Sequence, residues 1–315
     1  MTVLVLTRRD DLTADWVVNH LHRRGAHLAR VDLAEFPTAA RLAGRIKPGG
    51  TWCGVLRTEH QDIELEQVRA VYYRRPALFR FPTGMAEDVQ QWCATEARHG
   101  LGGLLAALPH ARWVNPVDRV LAAERKPVQL AAAATAGLTI PPTLITNDPE
   151  QARAFVADQP HGAVYKSLRG APRSGGSIYP TPVSSDDITE DVAHTAHQFQ
   201  ARVPKAADVR VTQVGAKLFA VRIDSTSPAA AHDFRADYDN LTYTAIDTPP
   251  EIADSLRALT TSLGLVYAAH DFVIDADTGQ WVYLETNANG QWAWLSCVAD
   301  DIASALAEEL NGDHT

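Results

Sequence analysis

Residues 271–287 read DFVIDADTGQWVYLETN. Asp277-Thr278-Gly279 is a turn signal between two apolar, alternating arms, so the arms fold back on each other as a β-hairpin. Symmetrical pairing puts Asp271 opposite Glu285 and Val273 opposite Tyr283. The two-residue period assigns Phe272, Ile274, Val282 and Leu284 to an apolar face, and Asp271, Glu285 and Asn287 to the other. Two carboxylates and a carboxamide held that close repel one another unless a cation or a proton intervenes. All-oxygen ligation suits a hard ion such as Mg²⁺, which one or two carboxylates hold while substrate phosphates complete the octahedron. Pairing with arginines, or exposure to solvent, are the alternatives for the two acids.

Basic residues upstream favour the phosphate alternative when taken together. In DRVLAAERKPVQLAAAATAGLTIPPTLI, Asp118 can cap a short helix, and Pro127 fits the first position of a second one ending at Gly137. Lys126 therefore stands at a helix N-terminus, where its charge and the open N–H groups both favour an anion; a solvated surface lysine is the other reading. Ala163–Ser167 is a strand that contains Lys166 among apolar neighbours. The loop 169–177 holds three glycines and two arginines. It can wrap phosphates, but it lacks the P-loop and dinucleotide patterns and is equally a plain hairpin connection. DVRVTQVGAKLFAVRIDS predicts a hairpin turning at Gly215, with Arg210 and Arg222 projecting from an apolar sheet.

Further out, Val3–Thr7 reads as a buried strand, Asp15–Arg24 as an amphipathic helix and Ala29–Leu33 as a second strand. That βαβ opening predicts a parallel sheet. Val68–Pro76 is a third strand ending in Arg74 and Arg75, residues 87–108 form a long helix, and Trp113–Asn115 a short strand. Helices are expected at 252–263, closed by Gly264, and at 300–310. The chain has 315 residues with 46% apolar and 21% charged, enough for two or three domains with ordinary soluble cores. A net charge of −9 argues against broad nucleic-acid binding. The three cysteines lie far apart without a metal spacing, and no apolar run approaches a membrane span or signal segment, so a cytoplasmic setting is expected.

This order of parts resembles the ATP-grasp superfamily. Within it the chain is most similar to the ATP-grasp ribosomal peptide maturases, the graspetide or microviridin-type macrocyclases, particularly their actinobacterial branch. The residues that carry the resemblance are YYRRP at 72–76, KPVQLAAAATAGLTIPPTLITND at 126–148, VYKSL at 164–168, DVRVTQVGAKLFAVRID at 208–224, HDFRADYDNLTY at 232–243 and LETNANGQW at 284–292. The resemblance implies an α/β chain with the ATP-grasp fold: an N-terminal α/β pre-ATP-grasp domain over 1–118, a central α+β subdomain over 119–198, and a C-terminal α+β subdomain with an antiparallel sheet over 199–315.

It also implies a ligase using ATP and Mg²⁺, with a ribosomal precursor peptide and its leader segment as partner and neither nucleic acid nor membrane. By position, Lys126 and Lys166 contact the phosphates, and the backbone around Gln200 to Val203 meets the adenine edge. Arg222 faces the γ-phosphate, and Asp271, Glu285 and Asn287 carry Mg²⁺. Arg210 and Arg235 hold the substrate carboxylate or its acyl phosphate. Arg74 and Arg75 are candidates for peptide binding or for a structural ion pair. Trp292 and Trp294 are either an aromatic wall for a peptide or core residues. Two other functions share the nucleotide site: a ligase adding amino acids to a protein or small acid, and an ATP-binding regulatory protein without turnover. No residue decides whether the chain forms a homodimer.

Overall fold

Thr2–Leu6 (β1) is buried along its whole length, and the structure, a computed structural model, describes residues 2–169, 180–225 and 240–312. Helix α1 (Leu12–Arg23) starts three residues before the expected Asp15, because the Asp11 carboxylate accepts from the N–H groups of Thr13 and Ala14. Strand β2 (His27–Val31) runs parallel to β1. Strands β3 (Arg41–Ile46), β4 (Trp52–Arg57) and β5 (Asp62–Glu64) then form a separate antiparallel sheet that the sequence pattern had not disclosed. Strand β6 (Val68–Tyr73) returns to the parallel sheet, leaving Arg74 and Arg75 just beyond its end.

The expected long helix over 87–108 is interrupted. It runs as α2 (Glu87–Ala97), a π-helical turn (Arg98–Gly102) and α3 (Gly103–Ala106). Gly100, Gly102 and Gly103 explain the break, since glycine weakens helical propagation. Strand β7 (Arg112–Val114) completes a sheet of order β2-β1-β6-β7, and α4 (Val117–Ala123) follows.

Helix α5 (Lys126–Thr135) begins at Lys126 itself, and Gly137 at φ +90° marks its exit. A four-stranded sheet of order β10-β9-β11-β8 comes next. It is built from β8 (Thr143–Thr146), β9 (Ala163–Lys166), β10 (Thr181–Val183) and β11 (His197–Ala201), with helix α6 (Pro149–Ala157) between β8 and β9. Ala152, Val156, Ala163, Ile188, Val192 and Phe199 make its core. The chain leaves this sheet through residues 202–204 and enters a five-stranded sheet of order β14-β13-β12-β15-β16. Its strands are β12 (Lys205–Val214), β13 (Lys217–Ser225), β14 (Leu241–Ile246), β15 (Tyr267–Asp275) and β16 (Trp281–Asn287). Helix α7 (Pro250–Ser262) precedes β15, and α8 (Ala299–Asn311) follows β16.

Two compact units emerge. One comprises Met1–Val120, Leu265–Tyr267 and Gln291–Thr315, the other Leu121–Gly264 and Ala268–Gly290. A subdomain boundary at 198/199 would cut β11 in two; we propose 202–204 as the physical divide inside the second unit.

Candidate active site

The β15–β16 hairpin closes as its turn residues require. The Asp275 carboxylate accepts from the N–H groups of Asp277 and Thr278, both at 2.9 Å, and Gly279 takes φ +71°. Asp271 pairs with Glu285, as symmetry predicts, and Ala269 with Asn287. The expected Val273–Tyr283 pair is not formed: the register shifts after Asp271, and Phe272 faces Tyr283 while Val273 faces Val282. Leu284 is the extra residue of this β-bulge. The shift brings two large rings together in the core, Phe272 and Tyr283, with centroids 5.6 Å apart and planes at 78°.

On the opposite face the polar side chains converge. The Asn287 Nδ2 group donates to Asp271 Oδ2 at 3.1 Å and to Glu285 Oε1 at 3.3 Å. Arg210, from β12, donates to Asp271 Oδ1 at 2.5 Å, and Lys126 forms an ion pair with Glu285 Oε2. Side-chain exposures between 9 and 20% for Arg210, Asp271, Lys126 and Glu285 place the group at the border of solvent, where charge pairing counts for more than on an open surface. Lys126 reaches Glu285 from the first position of α5; Pro127 after it has no N–H, and the Val128 N–H donates to the Arg125 carbonyl at 2.9 Å.

The donor set fits Mg²⁺. Among the described residues no group of three Asp, Glu, His or Cys side chains could form an all-protein metal cage. Two carboxylates with a carboxamide are what a Mg²⁺–phosphate site needs, since Mg²⁺ keeps waters and substrate oxygens. Turning the Asn287 amide by half a rotation presents its oxygen in place of Nδ2, completing a three-oxygen face.

Behind this face lies a second, buried network. His270 Nδ1 and the Tyr283 hydroxyl both meet Thr286 Oγ1, at 2.9 and 2.6 Å, and Thr260 links His270 Nε2 to Gln213 at 3.3 and 2.8 Å. Burial pushes the His270 imidazole down to about 3, and the nearby Arg210 charge adds to this, so the ring is neutral. Burial likewise raises the Tyr283 phenol. Neither the network nor Gln129, which bonds to Thr286, was read from the sequence. A lone glutamine inside KPVQLAAAAT was the available signal.

The other expected site residues are distributed unevenly. Lys166 Nζ donates to Gln200 Oε1 at 2.6 Å, and Gln200 Nε2 donates to Thr143 Oγ1 at 2.9 Å. The buried Gln200 side chain thus orients Lys166, while Val203 lies in the crossing between the sheets. Arg222 is not brought to the cluster. Arg210 pairs with Val221 and Arg222 with Val209, so the two arginines leave opposite faces of the sheet. Arg222 grips Asp224 through Nε at 3.0 and 2.9 Å, and this contact raises its pKa. Arg235 and residues 170–177 of the glycine-rich loop lie outside the described residues.

In the first unit, buried Arg74 donates to Gln291 Oε1 at 2.6 Å, and Thr13 donates to the same oxygen at 2.9 Å. The Arg75 pKa is lowered, by burial first and by the Arg74 charge second. Trp292 is fully buried, a core residue, and the Trp294 indole donates to the Gln291 carbonyl at 3.1 Å.

A four-stranded antiparallel sheet followed by a five-stranded one, with acids on the last hairpin and lysines on the helix and strand before it, is the ATP-grasp fold. Residues 2–121 match the family model of the MvdD pre-ATP grasp domain. No curated protein matches the chain in sequence. Among solved structures, it is similar to macrocyclase MdnC from Microcystis aeruginosa MRC, bound with precursor peptide MdnA. The identity is 30%, the TM-score 0.87, and the match covers 99% of this chain and 100% of that one. Macrocyclase MdnB from the same organism is 27% identical with a TM-score of 0.82, covering 98% of both chains. A RiPP-associated ATP-grasp ligase from Chryseobacterium gregarium, in complex with ADP and a leader and core peptide, is 24% identical. Its TM-score is 0.91, over 100% of this chain and 97% of that one. This chain belongs to the microviridin-type ATP-grasp macrocyclases, the ribosomal peptide maturases among the ATP-grasp ligases.

Proposed function

We propose that the chain uses ATP to activate Asp or Glu side chains of a ribosomally made precursor peptide and joins them to Thr, Ser or Lys side chains, closing ester or amide macrocycles. The observation that carries this reading is the convergence of Asp271, Glu285 and Asn287 with Lys126 and Arg210 in a chain of this family. A peptide carboxylate oxygen attacks the γ-phosphorus, the bond to the bridging oxygen of ADP breaks, and an acyl phosphate forms. The acceptor hydroxyl or amine then attacks the acyl carbon, phosphate leaves, and the acceptor's proton passes to solvent. Asp271, Glu285 and Asn287 would hold Mg²⁺, which when bound offsets charge on the phosphate oxygens.

The chain's own groups do the rest. Lys126 contacts the nucleotide phosphates from the start of α5 through its own ammonium group. Lys166, oriented by Gln200, is the second phosphate contact, and the backbone from Gln200 to Val203 meets the adenine. Arg210, with Arg235 assigned the same role, holds the acyl phosphate, where fixed cations cost no reorganisation during reaction. Arg75, which is exposed, is assigned to acidic peptide residues, whereas Arg74 is buried against Gln291 and is left to that structural contact. Arg222 is left out of this set because of the face it occupies. Among the described residues no helix is long and apolar enough to cross a membrane; we place the enzyme in the cytoplasm, where its peptide is made.

Mass spectrometry of a precursor peptide bearing acidic, hydroxyl and amine side chains, incubated with ATP and Mg²⁺, tests the proposal. Loss of one water per bond formed is expected, and none with Glu285→Ala. Gain of an amino-acid mass would instead assign the chain to ligases that extend a protein or small acid. An ATP-binding protein without turnover would leave the peptide and ATP intact.

A further inference from the structure

We propose that Gln129 is a positioning residue whose carboxamide fixes the Lys126 end of α5 to the part of β16 that carries Glu285 and Asn287. The inference rests on reading Lys126 and Glu285 as the phosphate end of a nucleotide site.

Among the described residues β16 is an edge strand, met on its outer side by no further strand but by an isolated bridge between Val282 and Thr139. The bulge at Leu284 turns two sets of backbone groups, three residues apart, toward that edge. The Tyr283 N–H donates to the Thr139 carbonyl at 2.8 Å. The Thr286 peptide groups are met by a side chain instead. Its N–H donates to Gln129 Oε1 at 3.0 Å, and its carbonyl accepts from Gln129 Nε2 at 2.7 Å. A carboxamide sets an N–H donor beside an oxygen acceptor in a fork, so Gln129 stands in for the peptide of a missing strand and keeps a second N–H to spare. Its Nε2 group also donates to the carbonyl of Ala123, the last residue of α4. One side chain, 3% exposed, therefore ties the end of α4, the first turn of α5 and the C-terminal end of β16.

The placement fits positioning better than filling. Lys126 lies three residues before Gln129, one turn along the same side of α5, and Thr286 lies between Glu285 and Asn287. Fixing Gln129 on Thr286 sets the separation of Lys126 from Glu285. From its other side Thr286 is held by His270 and Tyr283 through its hydroxyl. The rest of α5 after Pro127 is Val, Leu and Ala as far as Thr135, so an apolar residue here would satisfy packing alone.

The experiment compares Gln129→Met, of similar length without the fork, and Gln129→Glu, which keeps the bond from the Thr286 N–H but loses the donation. Ile188→Ala, a cavity in the core beside the four-stranded sheet, is the control for lost stability. Each full-length protein is measured for thermal unfolding, ADP affinity in Mg²⁺ by calorimetry, and kcat and KM for ATP. The proposal predicts ADP binding about tenfold weaker and kcat lowered by about thirtyfold or more in Gln129→Met, with Gln129→Glu between it and wild type. Ile188→Ala should lose as much melting temperature while holding ADP affinity within about twofold. Wild-type ADP affinity in Gln129→Met, with kcat falling only as far as in Ile188→Ala, overturns the proposal. Should Gln129→Met fail to fold, Gln129→Glu decides by the same criteria. Failure of the wild-type protein to bind ADP overturns the nucleotide reading, and this inference with it.

Discussion

Asp271 and Glu285 face each other across one register pair, and each has its own cation, Arg210 for the first and Lys126 for the second. Arg210 is mostly buried, so Arg210→Ala leaves the Asp271 charge without that partner where little water can replace it. The expected loss is about 3–5 kcal/mol of stability, together with a fall in kcat of about a hundredfold or more. Arg222 and Asp224 are each more than a third exposed, so Arg222→Ala should cost under about 1 kcal/mol. It should also leave kcat within a few-fold. Urea unfolding and ATP-cleavage assays on both variants check this, and equal losses would contradict the separation of the two arginines. Arg210, Asp271 and Glu285 are legible because each interrupts an apolar, period-two pattern, and Lys126 because it precedes a proline at a helix start. The face of Arg222 is not: a turn at Gly215 leaves the loop length open, and one residue of slip moves every side chain to the other face. Gln129 carries no such mark, because a glutamine in a helix signals nothing until its burial is known.

At the scale of elements, the β15–β16 hairpin shows what a repeating pattern reveals and what it hides. The turn and the Asp271–Glu285 pair follow from Asp277-Thr278-Gly279 and symmetry. The bulge at Leu284 does not, because it is chosen by packing Tyr283 against Phe272 and by the edge bonds to Thr139 and Gln129. In the same way, helical residues from 87 to 106 concealed a π-turn among glycines. The segment after β16 is held just as closely. A Cβ added at Gly290 would stand 2.5 Å from the Cβ of Ala269 and 3.3 Å from that of Asn287. Gly290→Ala must displace β15 or Asn287, and an overpacking cost of about 1–3 kcal/mol is expected. ADP affinity should weaken as well. Calorimetry on the variant reads both, and unchanged stability would mean that this turn is looser than its contacts indicate.

For the whole molecule, the family resemblance implied three consecutive blocks, yet the first unit recovers Leu265–Tyr267 and Gln291–Thr315 from the far end of the chain. Local periodicity cannot report such a return. It depends on long-range pairs such as His20–Asp300 at 2.8 Å and Arg24–Glu308 at 3.2 Å, which tie α1 to α8. Each unit also buries a tyrosine, Tyr72 in the first and Tyr283 in the second, and burial raises both phenols above their ordinary value. Above about pH 10 the unfolded chain releases protons that the folded chain retains, so stability is complete below that pH and falls above it. Each phenol contributes up to about 1.4 kcal/mol per pH unit to the fall. Urea unfolding at successive alkaline pH values should show the decline, shallower in Tyr72→Phe and Tyr283→Phe; stability unchanged to about pH 11 would contradict it.

The central claim is that ATP cleavage passes through a peptide carboxylate. The measurement that tests it most directly labels the acidic side chains of the peptide with ¹⁸O and follows the label after reaction with ATP and Mg²⁺. Attack by the carboxylate on phosphorus, followed by attack of the acceptor on carbon, delivers one labelled oxygen to inorganic phosphate for each bond formed. Macrocycle formation with unlabelled phosphate would contradict the account.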